Sequence, residues 1–598
     1  MSVYSFVEKY GGNLLINPSI IVNPTDTFCI DIETDEKDNF VGIAFTNDGI
    51  NIGYNTSLTH TFSMVLKNWN LIGHNLKGDV KWLRQWGVNI KPEQLEYDTI
   101  VASYIKEPTR LRHGLKYLGK DILGIEWPSY EEMVGKGRSR HTLDTLPVEH
   151  VADYCGMDCL TTYRLYEWFR VHHTDNQKRI MKDIEMPLNR LLFQLEQRGV
   201  RLNLKRVKEL DREFLNTIAI LDVEINDLCK SIFYLLVSEK QIRKGWEKTA
   251  STKIKESGRI NFSSWQQKKL VLHELGLNVE TTDKKELIKY KDNPIVANML
   301  QYSEYQKLHG FTQGFIESQK EGIIHTTFSQ LTKNERGMTT GRISSRDINL
   351  MQIPIRTEAG NKLREVFVAR EGMELICADY SQADLRVLAH YSQEPVFVEA
   401  FKQNKDIHQA TADILGIERW KGKEINLAYA NSVGAGKLSI SLNIPFEDAK
   451  KVLEKFNNEM LTLSRWKEET LAKARDVQGI VTLHDWFVPI IGLDSTDWST
   501  RGYAERQTIS VLIQGGTAII MKWAMLRLQE HAPEFSQLIQ VHDEIVGEIS
   551  KNNITLNTIK YIMEQVPFVE LEIKIPFIVE IGCGKNWKEA KESSKVKT

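Results

Sequence analysis

The sequence predicts an α/β protein of several domains. Three observations carry that reading. The chain has 598 residues, more than one hydrophobic core serves, since domains cluster at roughly 100–200 residues. Residues 1–180 alternate strand-like runs with helical stretches, the pattern of a sheet layered with helices. Much later, two further strand-like runs, "ELICADY" and "SQLIQVHDEIVGEIS", are separated by long helical segments, which implies a second sheet.

Along the chain, "TFCIDIET" reads as a strand and "NFVGIAFTNDGINIGYN" as a hairpin. "NLIGHNLKGDVKWLRQWG" reads as a strand running into a helix. From "KRIMKDIEMPLNRLLFQLEQRGV" the apolar residues recur at three- and four-residue steps, so the chain turns helical. Helix continues to about residue 325, with a break expected at the basic, polar "KTASTKIKESGR". Residues 325–390 are mixed and 395–480 mainly helical. "SQLIQVHDEIVGEIS" reads as two strands around a tight turn, and the tail "KEAKESSKVKT" as disordered.

A composition 41% hydrophobic and 26% charged is that of a globular protein. The net charge of -2 excludes a global basic footprint, so any nucleic-acid surface must come from local clusters of Lys and Arg. The start "MSVYSFVEKYGG" has no signal-peptide pattern, and no apolar run is expected to reach the ~18 residues of a membrane span. A soluble, cytoplasmic protein is expected. The cysteines, Cys29, Cys155, Cys159, Cys229, Cys377 and Cys583, match no zinc spacing and are expected to be reduced, buried thiols.

Two groups of acids suggest chemistry. In "TFCIDIET", Asp31 and Glu33 are two apart and share one strand face. Phe28, Cys29, Ile30 and Ile32 mark that strand as buried, and paired carboxylates repel there unless a cation lies between them. "IGHNLKGDVKWL" adds Asp79, preceded by Asn75, and "ADYCGMDCLTTYRL" adds Tyr154 and Asp158 on one helix face. Four such carboxylates suit two Mg²⁺-type ions ~3.5–4 Å apart, one activating a water and one stabilising the leaving oxygen of a phosphodiester. Tyr154 would orient that water.

In the second half, Asp379 closes the strand "ELICADY". "RWKGKEINLAYANSVGAGKL" then sets Arg419, Lys423, Leu427 and Asn431 at four-residue steps on one helix face, where cations one turn apart can hold a triphosphate. His542, Asp543 and Glu544 follow in a hairpin turn. An acid, a basic helix face and a second acid, in that order, are the arrangement of a nucleotidyl-transferase palm.

With "TTGRISSRDINLMQIPIRT", "DIHQATADILG", "AERQTISVLIQGGTAIIMKWAM" and "GKNW" also matching, the chain resembles family A DNA polymerases, the bacterial polymerase I type, over nearly its whole length. The N-terminal acids resemble the RNase H-like 3′–5′ proofreading exonucleases with a tyrosine in their third motif. Asp98 resembles an acid these carry after the second motif, in a supporting role. The resemblance implies an exonuclease domain at 1–180, followed by a right-hand palm, thumb and fingers polymerase. Palm entry and thumb fall at 181–330, the palm with the first acid at 331–394, fingers at 395–500, and the palm with the second acid and the tail at 501–598. The family's 5′-nuclease domain is not expected, because residue 31 already belongs to the exonuclease; this suggests a phage-like replicative or repair enzyme, acting in the host cytoplasm if phage-encoded.

By the same resemblance, Asp379, the carbonyl of Tyr380 and Asp543 hold metal, and Glu544 is a secondary catalytic acid. Lys423, Arg419 and His408 contact the phosphates, with Lys423 a proton donor to pyrophosphate. Ser381, Gln382, Asp384, Leu427 and Asn431 line the nucleotide site. Arg342, Asn349, Gln352, Arg506, Gln514 and His542 contact DNA. The basic thumb tip grips duplex phosphates without sequence preference. Two Mg²⁺ per site, replaceable by Mn²⁺, primer-template DNA and dNTPs are implied, in a monomer with no membrane contact. A processivity factor or helicase is left open.

The chain departs from the family at several places. Leu427 stands where an aromatic is usual, Asn431-Ser432 where Tyr-Gly is usual, and "LHDWFVPI" replaces a basic template-contacting loop. Ser510 replaces Asn, and Asp384 replaces a Glu that packs under the sugar. The shorter acid predicts altered sugar or base selectivity. Two other readings are a nuclease whose polymerase half only binds DNA, and a single-subunit RNA polymerase; the intact Asp379, Lys423 and Asp543 oppose the first, and the N-terminal exonuclease and the acidic Asp384 oppose the second.

Overall fold

In the computed structural model, the first sheet is built on β2 (Thr27–Thr34), whose Phe28, Cys29 and Ile30 are buried as the apolar run requires. The structure describes residues 5–18, 26–136, 140–238, 243–331, 340–354, 357–552 and 556–595. Thr339, Ile355 and Arg356 of "TTGRISSRDINLMQIPIRT", and the last three residues of the tail, lie outside these. The other strands are β1 (Asn13–Ile16), β3 (Phe40–Thr46), β4 (Asn51–Asn55), β5 (Asn70–Gly73) and β6 (Leu95–Asp98), in the spatial order β1-β4-β3-β2-β5-β6. The β2–β3–β4 segment is an antiparallel meander, and β2, β5 and β6 run parallel, the last two followed directly by helices. The 25-residue helix Val148–His172 packs on β2 and β3, burying Ala152, Cys155 and Cys159 against Cys29 and Ala44.

The chain divides into two units. The first comprises Met1–Arg198, Thr327–Arg346 and Cys377–Gly582. A four-stranded sheet has the order Ser536–Val541, Glu544–Ser550, Met373–Tyr380, Val579–Gly584, so the two acid-bearing strands read from the sequence are placed in one sheet. The 34-residue helix Trp498–His531 crosses the helix Ala383–Ser392. The crossing is close: a Cβ on Gly516 would stand 2.6 Å from a Val387 methyl. Trp498–His531 is long and apolar enough to cross a membrane, which corrects the expectation that no such run exists; 83% of its apolar window is buried in the fold, so the apolar length serves a core.

One buried polar network also lies in this unit. Lys522 donates to Glu185 at 2.6 Å, and Gln330 donates to the same carboxylate at 2.6 Å and accepts from Asn189 at 3.0 Å. Glu185 and Lys522 are fully enclosed, so each charge depends on the other, and removing one partner alone costs about 3–5 kcal/mol.

The second unit comprises Gly199–Thr326, Asp347–Ile376 and Cys583–Thr598. Two 25-residue helices, Leu204–Leu228 and Pro294–Ser318, pack together. Between them buried Asp211 accepts from Thr312 at 2.6 Å and Gln313 at 2.8 Å. Two expectations are corrected here. "KTASTKIKESGR" is no break: Gly245–Ser257 is helical, anchored by buried Ala250 and Ile254 one turn apart. The tail is not disordered over its described part: Trp587–Ser593 is a helix, with Trp587 buried edge-on to Phe367 and the Arg364 guanidinium 4.0 Å above its ring. The cysteines are free thiols, five of them buried.

Candidate active sites

The N-terminal acids converge. A carboxylate oxygen from each of Asp31 and Glu33 and the Cys155 sulfur lie within 4.8 Å of one another. The Cys155 thiol donates to Asp31 at 3.3 Å. Asp79 stands in the first turn of the helix Leu76–Gln85 and takes a main-chain hydrogen bond from Ile32 of β2. That helix has no side-chain cap of its own, because Asn75 is left-handed at φ 65°. Asp98, at the end of β6, caps it from outside, its carboxylate accepting from the amides of Asn75 at 2.9 Å and Leu76 at 3.0 Å, and also caps its own helix Thr99–Lys106 by accepting from Ile100 N–H at 3.1 Å. Asp98 thus fixes the turn that delivers Asp79.

Burial drives the carboxyls of Asp31, Glu33 and Asp79 well above their usual range. Repulsion from Asp158 adds to the effect at Asp31 and Glu33, and repulsion from Asp98 adds to it at Asp79. Asp158 is also raised by burial, but Lys116 opposes the rise. Its Oδ1 accepts from Lys116 Nζ at 2.7 Å and Trp127 Nε1 at 2.6 Å, and Tyr154 one turn away also hydrogen-bonds it. Half-buried Asp31, Glu33 and Asp79 with buried Asp158, carboxylates that repel one another, are a donor set for a hard divalent cation such as Mg²⁺ or Mn²⁺. The residues present fit such an ion.

The second group is built around the strand end at Asp379. Tyr380 N–H donates to the Asp543 carbonyl at 3.1 Å, which sets the two acids side by side. Asp543 sits in the turn between Ser536–Val541 and Glu544–Ser550, with His542 before it at φ 57° and Glu544 buried behind it. After Asp379 the chain turns sharply: Ser381 N–H is tied to Ile578 O at 2.9 Å, and Gln382 is left-handed at φ 55° before the helix Ala383–Ser392. Non-glycine residues at positive φ cost about 1 kcal/mol or more each and persist where surroundings enforce them. Here the enforcement comes from buried Arg386, which donates to the Ser381 carbonyl at 2.8 Å and to Pro576 O. Two aspartates on paired backbones are, by their chemistry, ligands suited to a hard divalent ion.

The helix Arg419–Ala430 packs against Ala383–Ser392, the helix that follows this turn. Arg419, Lys423, Leu427 and Asn431 are all exposed along one face, while Ile425, Asn426 and Tyr429 face inward. Asn431 itself caps the C-terminus and donates to the Leu427 carbonyl at 2.8 Å. Gly422 lets the helix lie on Ile407–Leu415, since a Cβ there would meet the His408 carbonyl at 2.5 Å. His408, read as a phosphate contact, is buried and stands 3.5 Å from Gln382; Arg419 is paired with Asp406 at 2.6 Å. Of the four, Lys423 most plainly projects a charge from that face.

The sequence pattern of DNA polymerase family A matches residues 206–589. This chain belongs to DNA polymerase family A. A second pattern, described as 3′-5′ exonuclease, matches residues 27–172. The chain is 28% identical over 541 residues to DNA polymerase I of Pseudomonas aeruginosa, covering 87% of this chain and 56% of that one. It is 31% identical over 444 residues to the thermostable DNA polymerase I of Thermus aquaticus, covering 71% and 50%. The chain therefore spans about half the length of the curated relatives it matches. A solved structure described as the POL domain of Pol1 from M. smegmatis in complex with DNA primer-template and dNTP superposes with TM-score 0.76 at 23% identity, over 94% of this chain and 96% of that one, and so shares the fold.

Within the family frame, the departures acquire surroundings. Asp384 accepts from Thr517 Oγ1 at 2.6 Å and lies 3.4 Å from Arg342. Gln514 donates to Asn431 at 3.3 Å, linking the long helix to the end of the basic helix. Exposed Arg506 lines a cavity with Tyr429, Ser432 and Lys467. Asn349 and Gln352 belong to the second unit, where Asn349 caps the short turn Leu350–Gln352. In the "LHDWFVPI" loop, Trp486 is 3% exposed, packs on Tyr104 and donates to the Ile105 carbonyl at 3.0 Å. The loop is thus anchored to the exonuclease region. Lys116, Trp127, Arg386 and Thr517 escaped the sequence reading, because each acts on a partner at least five residues away with no periodic signature.

Proposed function

We propose that the chain is a DNA-directed DNA polymerase with a 3′–5′ proofreading exonuclease, acting on primer-template DNA and dNTPs in the cytoplasm. The observation that carries the polymerase reading is the Tyr380–Asp543 main-chain bond, which joins the two acid positions of the second sheet, with Lys423 exposed on the helix Arg419–Ala430. A bound pair of Mg²⁺ ions supplies deprotonation of the attacking oxygen and charge on the leaving oxygen at each site. The protein's part is to hold ligands: Asp379 and Asp543 for extension, and Asp31, Glu33, Asp79 and Asp158 for 3′ hydrolysis. Lys423 binds the triphosphate and donates a proton to the departing pyrophosphate. In the exonuclease, Tyr154 orients the attacking water beside Asp158. Buried Asp98 and Arg386 keep their respective turns in place without touching substrate.

Extension of a labelled DNA primer on template with Mg²⁺ and dNTPs tests the reading, with extension expected. A protein that degrades the primer but never extends it with dNTPs is a nuclease, and the polymerase reading then fails.

A further inference from the structure

Among the acids of the exonuclease centre stands one cation that the proposed chemistry does not use. Lys116 Nζ lies 2.7 Å from Asp158 Oδ1. It is also 4.0 Å from the centre of the Trp127 ring and 4.2 Å from that of Tyr154. An ammonium held by a carboxylate and two aromatic faces sits in a built seat, because each contact favours a cation. Asp158 Oδ1 already accepts from Trp127 Nε1 at 2.6 Å. With both donors in place, that oxygen is occupied. Lys116 nevertheless keeps an exit: its side chain is 33% exposed, whereas that of Asp158 is 11% exposed. Four rotatable bonds let a lysine head leave for solvent with its stem still packed.

We propose that Lys116 is the resident counter-ion of the exonuclease acids, and that a divalent metal engages Asp158 by displacing its ammonium. The inference rests on the exonuclease reading above. The four acids are thereby kept from repelling the site apart when no metal is bound. The same contact makes metal loading competitive, since one positive charge must leave as another arrives. Lys116 is a positioning residue in this scheme, and it also couples the metal to Tyr154: withdrawal of the ammonium uncovers the ring whose hydroxyl lies beside Asp158.

The test uses the full chain in an Asp379→Asn/Asp543→Asn background, which silences the polymerase acids. Mn²⁺ is titrated and the free ion followed by electron paramagnetic resonance. Lys116→Met is expected to bind Mn²⁺ on the order of tenfold more tightly than its parent, the scale of one partly buried charge interaction. Lys116→Arg, which keeps the charge, is expected to stay near the parent. In EDTA, Lys116→Met should melt below the parent and gain more from added Mn²⁺. A second measurement needs no variant at Lys116: amine labelling read by mass spectrometry should show Lys116 protected in EDTA and reactive at saturating Mn²⁺. Equal or weaker Mn²⁺ binding by folded Lys116→Met overturns the proposal, as does Lys116 labelling that ignores Mn²⁺ bound at this site. Failure of the underlying reading shows elsewhere, as 3′ degradation that survives Asp31→Ala with Glu33→Ala, or as no Mn²⁺ bound at all.

Discussion

The amide of Tyr380 donates to the carbonyl of Asp543 at 3.1 Å, across 163 positions of sequence. This main-chain bond means that the two acids are neighbours because of strand pairing, whatever their side chains hold. Rigid delivery of charge to the reacting centre is what electrostatic catalysis requires.

A first prediction follows from that bond. Asp543→Asn, like Asp379→Asn, removes a ligand charge while keeping shape, so the strand junction survives. Primer extension should fall by roughly 10³-fold or more. Degradation of a 3′ end should continue, and the melting temperature should stay close to the parent's. A variant that extends primers at near-parent rates would remove Asp543 from the metal site.

The converse prediction concerns the other acids. Asp31→Ala with Glu33→Ala should abolish 3′ degradation and leave extension intact, because the two groups occupy separate sheets. Extension and degradation are read on the same labelled primer, with and without dNTPs. Loss of both activities would mean that the sites are not independent.

The titration of the exonuclease acids has a definite sign. Asp31, Glu33 and Asp79 carry pKa values raised by burial and mutual repulsion. In the metal-free folded chain they hold protons that the unfolded chain, with carboxyl pKa values of about 4, has already released. Their contribution is therefore fully present below about pH 4 and is lost as pH rises toward the folded values. In EDTA, the parent should lose stability with rising pH relative to Asp31→Asn/Glu33→Gln, by up to about 1.4 kcal/mol per pH unit for each group in its window. Mg²⁺ should erase the difference. Urea unfolding at a series of pH values measures it, and parallel curves for the two proteins in EDTA would remove the repulsion account.

Trp486 gives a stability prediction. It fills a buried space against Tyr104 and hydrogen-bonds Ile105. Trp486→Ala should cost about 3–5 kcal/mol. Trp486→Phe, which keeps most of the ring but leaves the Ile105 carbonyl without its donor, should cost about 1–3 kcal/mol. Chemical denaturation followed by circular dichroism separates the two, and a Trp486→Ala change under 1 kcal/mol would show that the loop is not anchored there.

What was legible in the sequence was what repeats or lies close by. Asp31 and Glu33 share a face because strand side chains alternate, and the face of Arg419, Lys423, Leu427 and Asn431 is exposed because helices return every fourth residue. The hairpin around Asp543 was marked by two apolar runs and a polar turn. The helix Trp587–Ser593 was misread because its anchors, Trp587 and Ala590, are two apolar residues among charges, and the pocket that receives them comes from Phe367 and Arg364, more than two hundred residues earlier. Gly245–Ser257 was misread for the same reason: Ala250 and Ile254 alone carry its buried face. His408 was read as a phosphate contact from resemblance alone; the structure buries it, with Asn426 of the packed helix 3.3 Å from its ring nitrogen. Lys116 has no local signature at all, since its partner lies 42 residues on.

The shortened acid at position 384 leads to the last prediction. An aspartate is one methylene shorter than a glutamate, and here it is also tethered: Thr517 Oγ1 donates to Oδ1 at 2.6 Å, and Arg342 lies 3.4 Å away. The carboxylate is therefore drawn toward the long helix and lacks the methylene that would carry it under an incoming sugar. Leu427, 37% exposed on the basic helix, adds apolar area to the same proposed pocket but no flat face for stacking. In the sugar-contacting roles that the family resemblance implies for these positions, both changes would loosen the contact, so discrimination against ribonucleotides should be weak. Asp384→Glu should raise the ratio of dNTP to rNTP insertion by on the order of tenfold, the scale of one methylene group's worth of pocket fit. Thr517→Val, which frees the aspartate from its tether, should change the ratio with little effect on kcat for dNTP. Single-nucleotide insertion rates for matched dNTP, ddNTP and rNTP measure all three proteins. Identical ratios in parent and Asp384→Glu would mean that position 384 does not sense the sugar.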